Sequence, residues 1–426
     1  MESVQSMVRP GRCEDLFYVD GESAAKQCFP TTVNTKFSQG MNPGVAGGTS
    51  TFTIPPGSGI QDIVVEVNLG VPAALAGAVA IPNGWVYALM KTVSYRYGGS
   101  SMFSLTGDQV LQAALKAQQS KQAASDLLNA GGNSIARDPG VPAANFFGNA
   151  VLVLPHSSPS GVGKPHPFPL SDLTQQVVIQ IEWNSIGTVL SCAVPADAQL
   201  AWSYASVNCV VQQVALNNSA DALSRRVDMS KNCYAYPVEF IQQKVSIPLG
   251  PGAGPAAPAQ LALTGFRSGE VKAIHCWLTN TADVSPTFGA KSPFLWYPPQ
   301  AVTLSYAGDV YAKYENSSST LWALINGRKA PTFDQVGTTG AGVAAATALG
   351  TWIELPFAQT HVGDDEKTLL VHGRPITNGV CNISIAPPYY PAEGGQPATD
   401  PNWVLNVSYI YGATIMVAQG SSDFLF

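Results

Sequence analysis

The sequence predicts an all-β protein: two tandem jelly-roll sandwiches, with a few short helices confined to loops. Three observations carry this. Short runs of alternating apolar and polar residues recur through both halves of the chain; glycine and proline separate those runs rather than gathering in one block; and the most polar stretch, Asn217–Asn232, falls between the halves.

Met1–Ser50 ends Gly-rich (GMNPGVAGGTS) with little periodic hydrophobicity, and reads as an arm or irregular lead-in. From Thr51 the texture becomes strand and turn. TFTIPP and GSGIQ precede Asp62–Leu69, where Ile63, Val65 and Val67 share one face and Val64, Glu66 and Asn68 the other. Trp85–Tyr97 reads as a further β-run closed by Gly98 and Gly99. Gln175–Trp183 alternates with period two, and Ala201–Leu216 is too long for one flat strand without a bend. Asp108–Leu128 departs from the pattern. It is rich in Ala, Gln, Leu and Lys, Thr106 or Asp108 can cap its start, and Asn129–Gly132 stops it. Its narrow apolar stripe (Val110, Leu111, Ala114, Leu115) places this helix across a sheet edge or end.

The second half repeats the β texture. Val238–Leu249 reads as a strand ending in the loop GPGAGPAAPA. Val271–Asn280, Ala301–Tyr314 (bent at Gly308), Thr351–Ala358, Leu369–Val371, Asn382–Ile385 and Trp403–Ala418 follow. Each half holds roughly six to eight candidate strands, joined in several places by long loops (Pro155–Leu170, Thr279–Pro299, Gly327–Gly350, Pro387–Asn402), as in sandwiches whose strands run between two facing sheets. The expected division is a lead-in over 1–50, a first jelly roll over 51–220, a connector over 221–235 and a second jelly roll over 236–426.

Composition narrows the function. Of 426 residues only 12% are charged, about half the usual ~25%, while 46% are hydrophobic. The net charge of −6 offers no basic field for nucleic acid. The seven cysteines (13, 28, 192, 209, 233, 276, 381) lack any CxxC or CxH pair and read as reduced, buried thiols of a reducing compartment. The N-terminus shows no apolar signal region, and the richest apolar run, Val71–Ile81, is about half a membrane span. The sequons at Asn217, Asn316, Asn382 and Asn406 therefore read as unused. A surface this poor in charge leaves neutral and apolar area outward, the mark of a large obligate protein interface.

No catalytic, cofactor-binding or metal-binding residue is assigned. His156 and His166 lie in a Pro-rich loop with no acid before Asp172. His361 precedes Asp364, Asp365 and Glu366 without the ligand spacing of a calcium loop, and His372 has no patterned partner. His275, beside Cys276 and Trp277, reads as a core or interface histidine. GVGKP (Gly161–Pro165) lacks the first glycine and the hydroxyl residue of a phosphate loop, and no GxSxG elbow is present.

Four stretches, in order, carry a resemblance: Thr92–Gln112 (TVSYRYGGSSMFSLTGDQVLQ), Leu152–Trp183 (a Leu-Pro start, a loop, a Pro-Leu step and a long alternating strand), Ala222–Ile247 (a charged connector into an aromatic-flanked strand) and the C-terminal strand region Trp403–Phe426. Their succession resembles the double jelly-roll major capsid proteins of icosahedral double-stranded DNA viruses, the lineage of large eukaryotic DNA viruses, virophages and adenovirus hexons. The resemblance covers Thr51–Phe426 and implies two tandem eight-stranded rolls in a structural, non-enzymatic subunit without cofactors. It further implies pseudo-hexagonal homotrimers tiling an icosahedral shell and contacting one another and minor capsid or vertex proteins. The arm Met1–Ser50 would face inward, where an internal membrane is a possible partner, with no direct contact to nucleic acid. Localisation would be the virion, assembled in host cytoplasm or nucleus. A different class, a carbohydrate-binding or carbohydrate-cleaving β-sandwich, rests on the loop aromatics Trp296, Tyr297, Tyr389 and Tyr390.

Overall fold

A computed structural model describes residues 30–38, 43, 47–55, 59–72, 74–77, 79–81, 84–97, 100–116, 126–127, 130, 135–137, 145–152, 176–192, 194–200, 202–216, 233–250, 253, 257–267, 269–280, 296, 299, 301–315, 333–334, 348–349, 352–356, 374–376, 380–387, 403–418 and 421–425. The first half contains β1 (Pro30–Ser38), β2 (Gly48–Ile54), β3 (Gly59–Gly70), β4 (Val79–Ile81), α1 (Trp85–Leu89), β5 (Met90–Tyr97), β6 (Ser100–Thr106), α2 (Gly107–Lys116), β7 (Ile135–Arg137), β8 (Phe146–Leu152), β9 (Val177–Trp183), β10 (Ser191–Cys192) and β11 (Ser203–Leu216). The second contains β12 (Cys233–Ile241), β13 (Val245–Pro248), β14 (Ala259–Ala262), β15 (Glu270–Asn280), β16 (Ala301–Tyr306), β17 (Asp309–Glu315), β18 (Phe333–Asp334), β19 (Ala348–Leu349), β20 (Ile353–Pro356), β21 (Arg374–Pro375), β22 (Cys381–Ala386), β23 (Trp403–Ala418) and β24 (Ser421–Leu425).

The sheets repeat. In the first half β1-β11-β3-β8 form one sheet and β2-β9-β5-β6 the other; in the second, β12-β23-β15-β20 and β14-β22-β16-β17. Numbering the eight principal strands of each half in chain order, both halves read 1-8-3-6 and 2-7-4-5. That antiparallel order is a jelly roll, made twice. The short pairs β4–β7, β4–β10 and β18–β19 lie outside the two rolls, while β13, β21 and β24 extend the β23-centred sheet.

Period-two patterning builds the cores. Ile63, Val65, Val67 and Leu69 of β3 are buried, as are Val177, Ile179, Ile181 and Trp183 of β9, with the intervening residues partly exposed. Trp183 also donates its indole N–H to Ser50 Oγ at 2.7 Å, so the neutral polar group carried inward is satisfied. The bend expected in Ala201–Leu216 is supplied by two register shifts against β3, at Tyr204/Ser206 and Gln212/Gln213. Ala301–Tyr314 is a hairpin rather than a bent strand. Ala307 (φ 53) and Gly308 (φ 92) both take the left-handed conformation of a two-residue turn.

Three further expectations are corrected. Trp85–Tyr97 is not β throughout, because Trp85–Leu89 is the helix α1 and all five of its residues are buried. Aromatic and β-branched content favours strand there, but the pattern has no exposed face. Second, Pro30–Ser38, read as part of the irregular lead-in, is a strand of nine residues registered against β11 from Pro30↔Leu216 to Ser38↔Asn208. Removing 1–50 would strip that strand and the start of β2, so the truncation is expected to perturb the fold. Third, the expected strand Val238–Leu249 is interrupted between β12 and β13, at Gln242–Lys244. The helix expected over Asp108–Leu128 forms as Gly107–Lys116; residues 117–125 lie outside the described residues, as do the connector Asn217–Asn232 and Leu369–Val371.

Cys192, Cys209, Cys276 and Cys381 are buried free thiols. Burial pushes Cys209 and Cys276 up to about 12, and Cys192 and Cys381 up to about 11, from an ordinary value of 9.0. Burial also raises Tyr87, Tyr95, Tyr204 and Tyr409. Below 9.0 both folded and unfolded thiols keep their protons; above it the unfolded chain releases protons that the folded chain retains. Stability is therefore expected to hold near neutrality and fall as pH rises from about 9 through 11. Thermal midpoints across that range check the sign. Alkylation at pH near 8 is expected to spare these four thiols until the chain unfolds.

Candidate functional site: the seam between the two rolls

In β15, Ala273–Leu278 are all buried, so both faces of this strand are covered. Register separates the faces. Ile274, Cys276 and Leu278 lie opposite Tyr409, Val407 and Leu405 of β23 and fill the second sandwich. His275 and Trp277 lie opposite Ser408 and Asn406 and look the other way. Gln109, His275, Asn406 and Ser408 are among the few buried polar side chains of the described residues, and all bear on this outer face.

The first roll covers this face with the start of α2. Thr106-Gly107-Asp108-Gln109 makes one half of a capping box: the Thr106 N–H donates to Gln109 Oε1 at 3.2 Å, while Asp108 Oδ1, in place of the Thr106 hydroxyl, accepts the Gln109 N–H at 3.0 Å and also accepts the Thr106 hydroxyl. Gln109 then reaches the second roll. Its Nε2 donates to the Gln242 carbonyl at 2.9 Å and to Ser408 Oγ at 2.7 Å, and its Oε1 accepts the Lys244 N–H at 3.1 Å. The carbonyl of one residue and the N–H two residues on are the groups that a neighbouring strand engages in a parallel bridge. The Gln109 carboxamide engages these two groups where β12 and β13 separate, at Gln242–Lys244, three residues that face only two of β23.

Other groups close around it. Ser408 Oγ donates to the Gln242 carbonyl at 2.8 Å; Gln242 Oε1 accepts the Tyr411 hydroxyl at 3.1 Å and Gln242 Nε2 donates to the Gly265 carbonyl at 2.8 Å. Asp108 and Lys244 form an ion pair with side chains only 12% and 25% exposed, so water screens it less than a surface pair. Lys244 Nζ also lies 5.9 Å from the Trp277 ring. Beside this polar group runs an aromatic column from one roll to the other. Tyr95 stacks on Phe103 at 4.4 Å, Phe103 meets Phe240 edge-on at 6.1 Å, and Phe240 meets Tyr411 at 6.4 Å. The Arg267 guanidinium sits 5.0 Å over Phe240.

His275, expected as a core or interface histidine, is 4% exposed, and its Nε2 lies 3.1 Å from Glu354 Oε2 on the paired strand β20. Trp296, expected among exposed loop aromatics able to stack on sugar, is instead 2% exposed and packs edge-on against Trp352 at 5.7 Å. It is core, and offers no platform. Tyr297, Tyr389, Tyr390, His156, His166, His361, His372, Asp364–Glu366 and the GVGKP loop lie outside the described residues. Among the described residues no three His, Cys, Asp or Glu side chains converge as a metal group, and no helix is long and apolar enough to cross a membrane. Gln109, Gln242 and Ser408 were not singled out from sequence. The one local signal was the T-x-x-Q capping box, which accounts for only one of Gln109's partners.

No family model matches the chain, and no curated protein matches it. Solved structures do. The capsid of the virus PBCV-1 matches with TM-score 0.61 at 14% identity over 93% of this chain and 97% of that one. The mavirus major capsid protein matches with TM-score 0.55 at 12% identity over 92% and 90%, and the Faustovirus major capsid protein with 0.53 at 10% over 94% and 92%. With the strand order found twice and this coverage end to end, the chain has the double jelly-roll fold of the major capsid proteins of double-stranded DNA viruses.

Proposed function

We propose that the chain is a structural major capsid protein, a non-enzymatic shell subunit that acts by tiling. The observation that carries this is the pair of identically ordered rolls held by one buried seam, on a chain matching capsid proteins over almost its full length. A subunit of two sandwiches fixed to each other presents two wedges at a constant angle. Three copies joined head to tail then close a ring with six barrels around its rim. Depleted charge, 12% of residues, fits walls that pack against copies of themselves.

On this reading the unit is a pseudo-hexagonal homotrimer whose neighbours are other trimers and minor capsid or vertex proteins. The segment before residue 30 is the inward arm and faces any internal membrane, while the net charge of −6 keeps the subunit off the genome. The first roll runs from β1 to β11 and the second from β12 onward, which starts at Cys233 rather than 236, with the residues between them as the connector. The virion is its location, after assembly in host cytoplasm or nucleus. Light scattering after size exclusion, with negative-stain imaging, tests the proposal. A threefold particle of three chains forming hexagonal plates is expected. A monomer at every concentration, with no plates, would refute it.

A further inference from the structure

We infer that Gln109 is the positioning residue that sets the angle between the two rolls, acting through the backbone of Gln242 and Lys244. The aromatic column and the Asp108–Lys244 pair draw the rolls together but tolerate sliding: ring contacts at 4.4 to 6.4 Å are broad in geometry, and an ion pair follows its partner. The Gln109 carboxamide does not. It is 2% exposed, and its two ends engage a carbonyl, an N–H and a hydroxyl in fixed directions at 2.7–3.1 Å. A shift of α2 along Gln242–Lys244 would face donor with donor and acceptor with acceptor in a partly buried setting, where water replaces the lost bonds only in part.

Gln242 makes the contact rigid from the other side. Its N–H donates to the Tyr409 carbonyl at 2.9 Å, and both ends of its side chain are engaged, so the carbonyl offered to Gln109 cannot turn away. The helix is equally held, through the capping box that fixes Gln109 at its third position. One side chain thus joins two bodies that are otherwise separate in sheet structure, across 133 residues to Gln242 and 299 to Ser408.

The test measures orientation apart from stability. Spin labels at Asn149→Cys on β8 and Asn382→Cys on β22, both exposed and on different rolls, report the inter-roll distance distribution. Cys13, Cys28 and Cys233 are replaced by serine, and labelled chain is diluted into unlabelled chain so that only distances within one chain are read. Gln109→Met, which keeps the length and loses the polar ends, is expected to broaden the distribution roughly twofold and to speed amide exchange at Lys244 about tenfold. Leu111→Ala, a buried apolar truncation in the same helix, is expected to lower the thermal midpoint while leaving the distribution narrow. A parental distribution in Gln109→Met, or equal broadening in Leu111→Ala, overturns the inference. Should Gln109→Met yield no soluble chain, Ser408→Ala decides by the same measurement, and a parental width there overturns it too. The distances are read within one chain whether or not trimers form, so failure of the shell reading and failure of this one are separate results.

Discussion

Val407→Asp is expected to abolish recovery of folded protein. Val407 is fully buried on β23, paired with Cys276 of β15 on one side and Val245 of β13 on the other, with Leu405 and Tyr409 on the same inward face. A carboxylate there meets no cation among these neighbours. An uncompensated buried charge costs about 3–5 kcal/mol, a large part of the roughly 5–15 kcal/mol that holds a domain folded. Val407→Ala removes two methyl groups and introduces no charge; a loss of about 1–3 kcal/mol, visible as a lower thermal midpoint, is expected. The two together separate charge from cavity. Soluble Val407→Asp with a parental midpoint would mean that this face of β23 is not the core face. The two-residue strand period alone assigns Ile415, eight residues on, to the same face; its side chain lies outside the described residues.

Gly107→Ala is expected to be the most damaging single methyl added at the seam. A Cβ at this position would stand 2.1 Å from the Tyr87 carbonyl oxygen and 2.4 Å from that of Met90, and both are backbone atoms that cannot swing aside. Alanine at the first turn of a helix gains at most about 1 kcal/mol over glycine, while overpacking against fixed backbone costs about 1–3 kcal/mol or more. Relief requires α2 to back away from α1, carrying Asp108 and Gln109 with it. The expected outcome is a thermal midpoint lowered by several degrees together with faster exchange of the Lys244 amide. Gly250→Asn is the control. Gly250 has φ +82 and nothing within 4 Å of an added Cβ, and asparagine accepts the left-handed conformation at small cost. Equal stability of Gly107→Ala and the parent would show that α2 is not wedged against α1.

Much of the sandwich was legible because its strands obey a two-residue period. β3 and β9 alternate between buried and partly exposed along their lengths, and β23 begins and ends where Trp403–Ala418 was drawn. Val271–Asn280 was read as a strand, but that both of its faces are covered over Ala273–Leu278, His275 included, is seen only in the folded structure. Where burial and composition part company, the reading failed. Trp85–Leu89 has strand-like residues but no exposed face, and only packing on both sides turns it into a helix. Trp296 sits in a loop-like context, yet Trp352 claims its ring. Pro30–Ser38 has the polar composition of a lead-in and becomes a strand because β11, remote in sequence, offers it a ladder of backbone partners.

From residues alone, then, came the strand periods, a helix start capped by Thr106 or Asp108, the scarcity of charge and the twofold β organisation, all properties of neighbours a few positions apart. Tertiary structure alone decided how the rolls meet. The seam joins Gln109 to Gln242, Lys244 and Ser408 through hydrogen bonds that form only in the folded arrangement, and two of those partners are main-chain groups, a carbonyl that every residue carries and an N–H that all but proline carry. A contact read by backbone leaves no mark in the composition of its partner, so no periodicity or motif could have disclosed it.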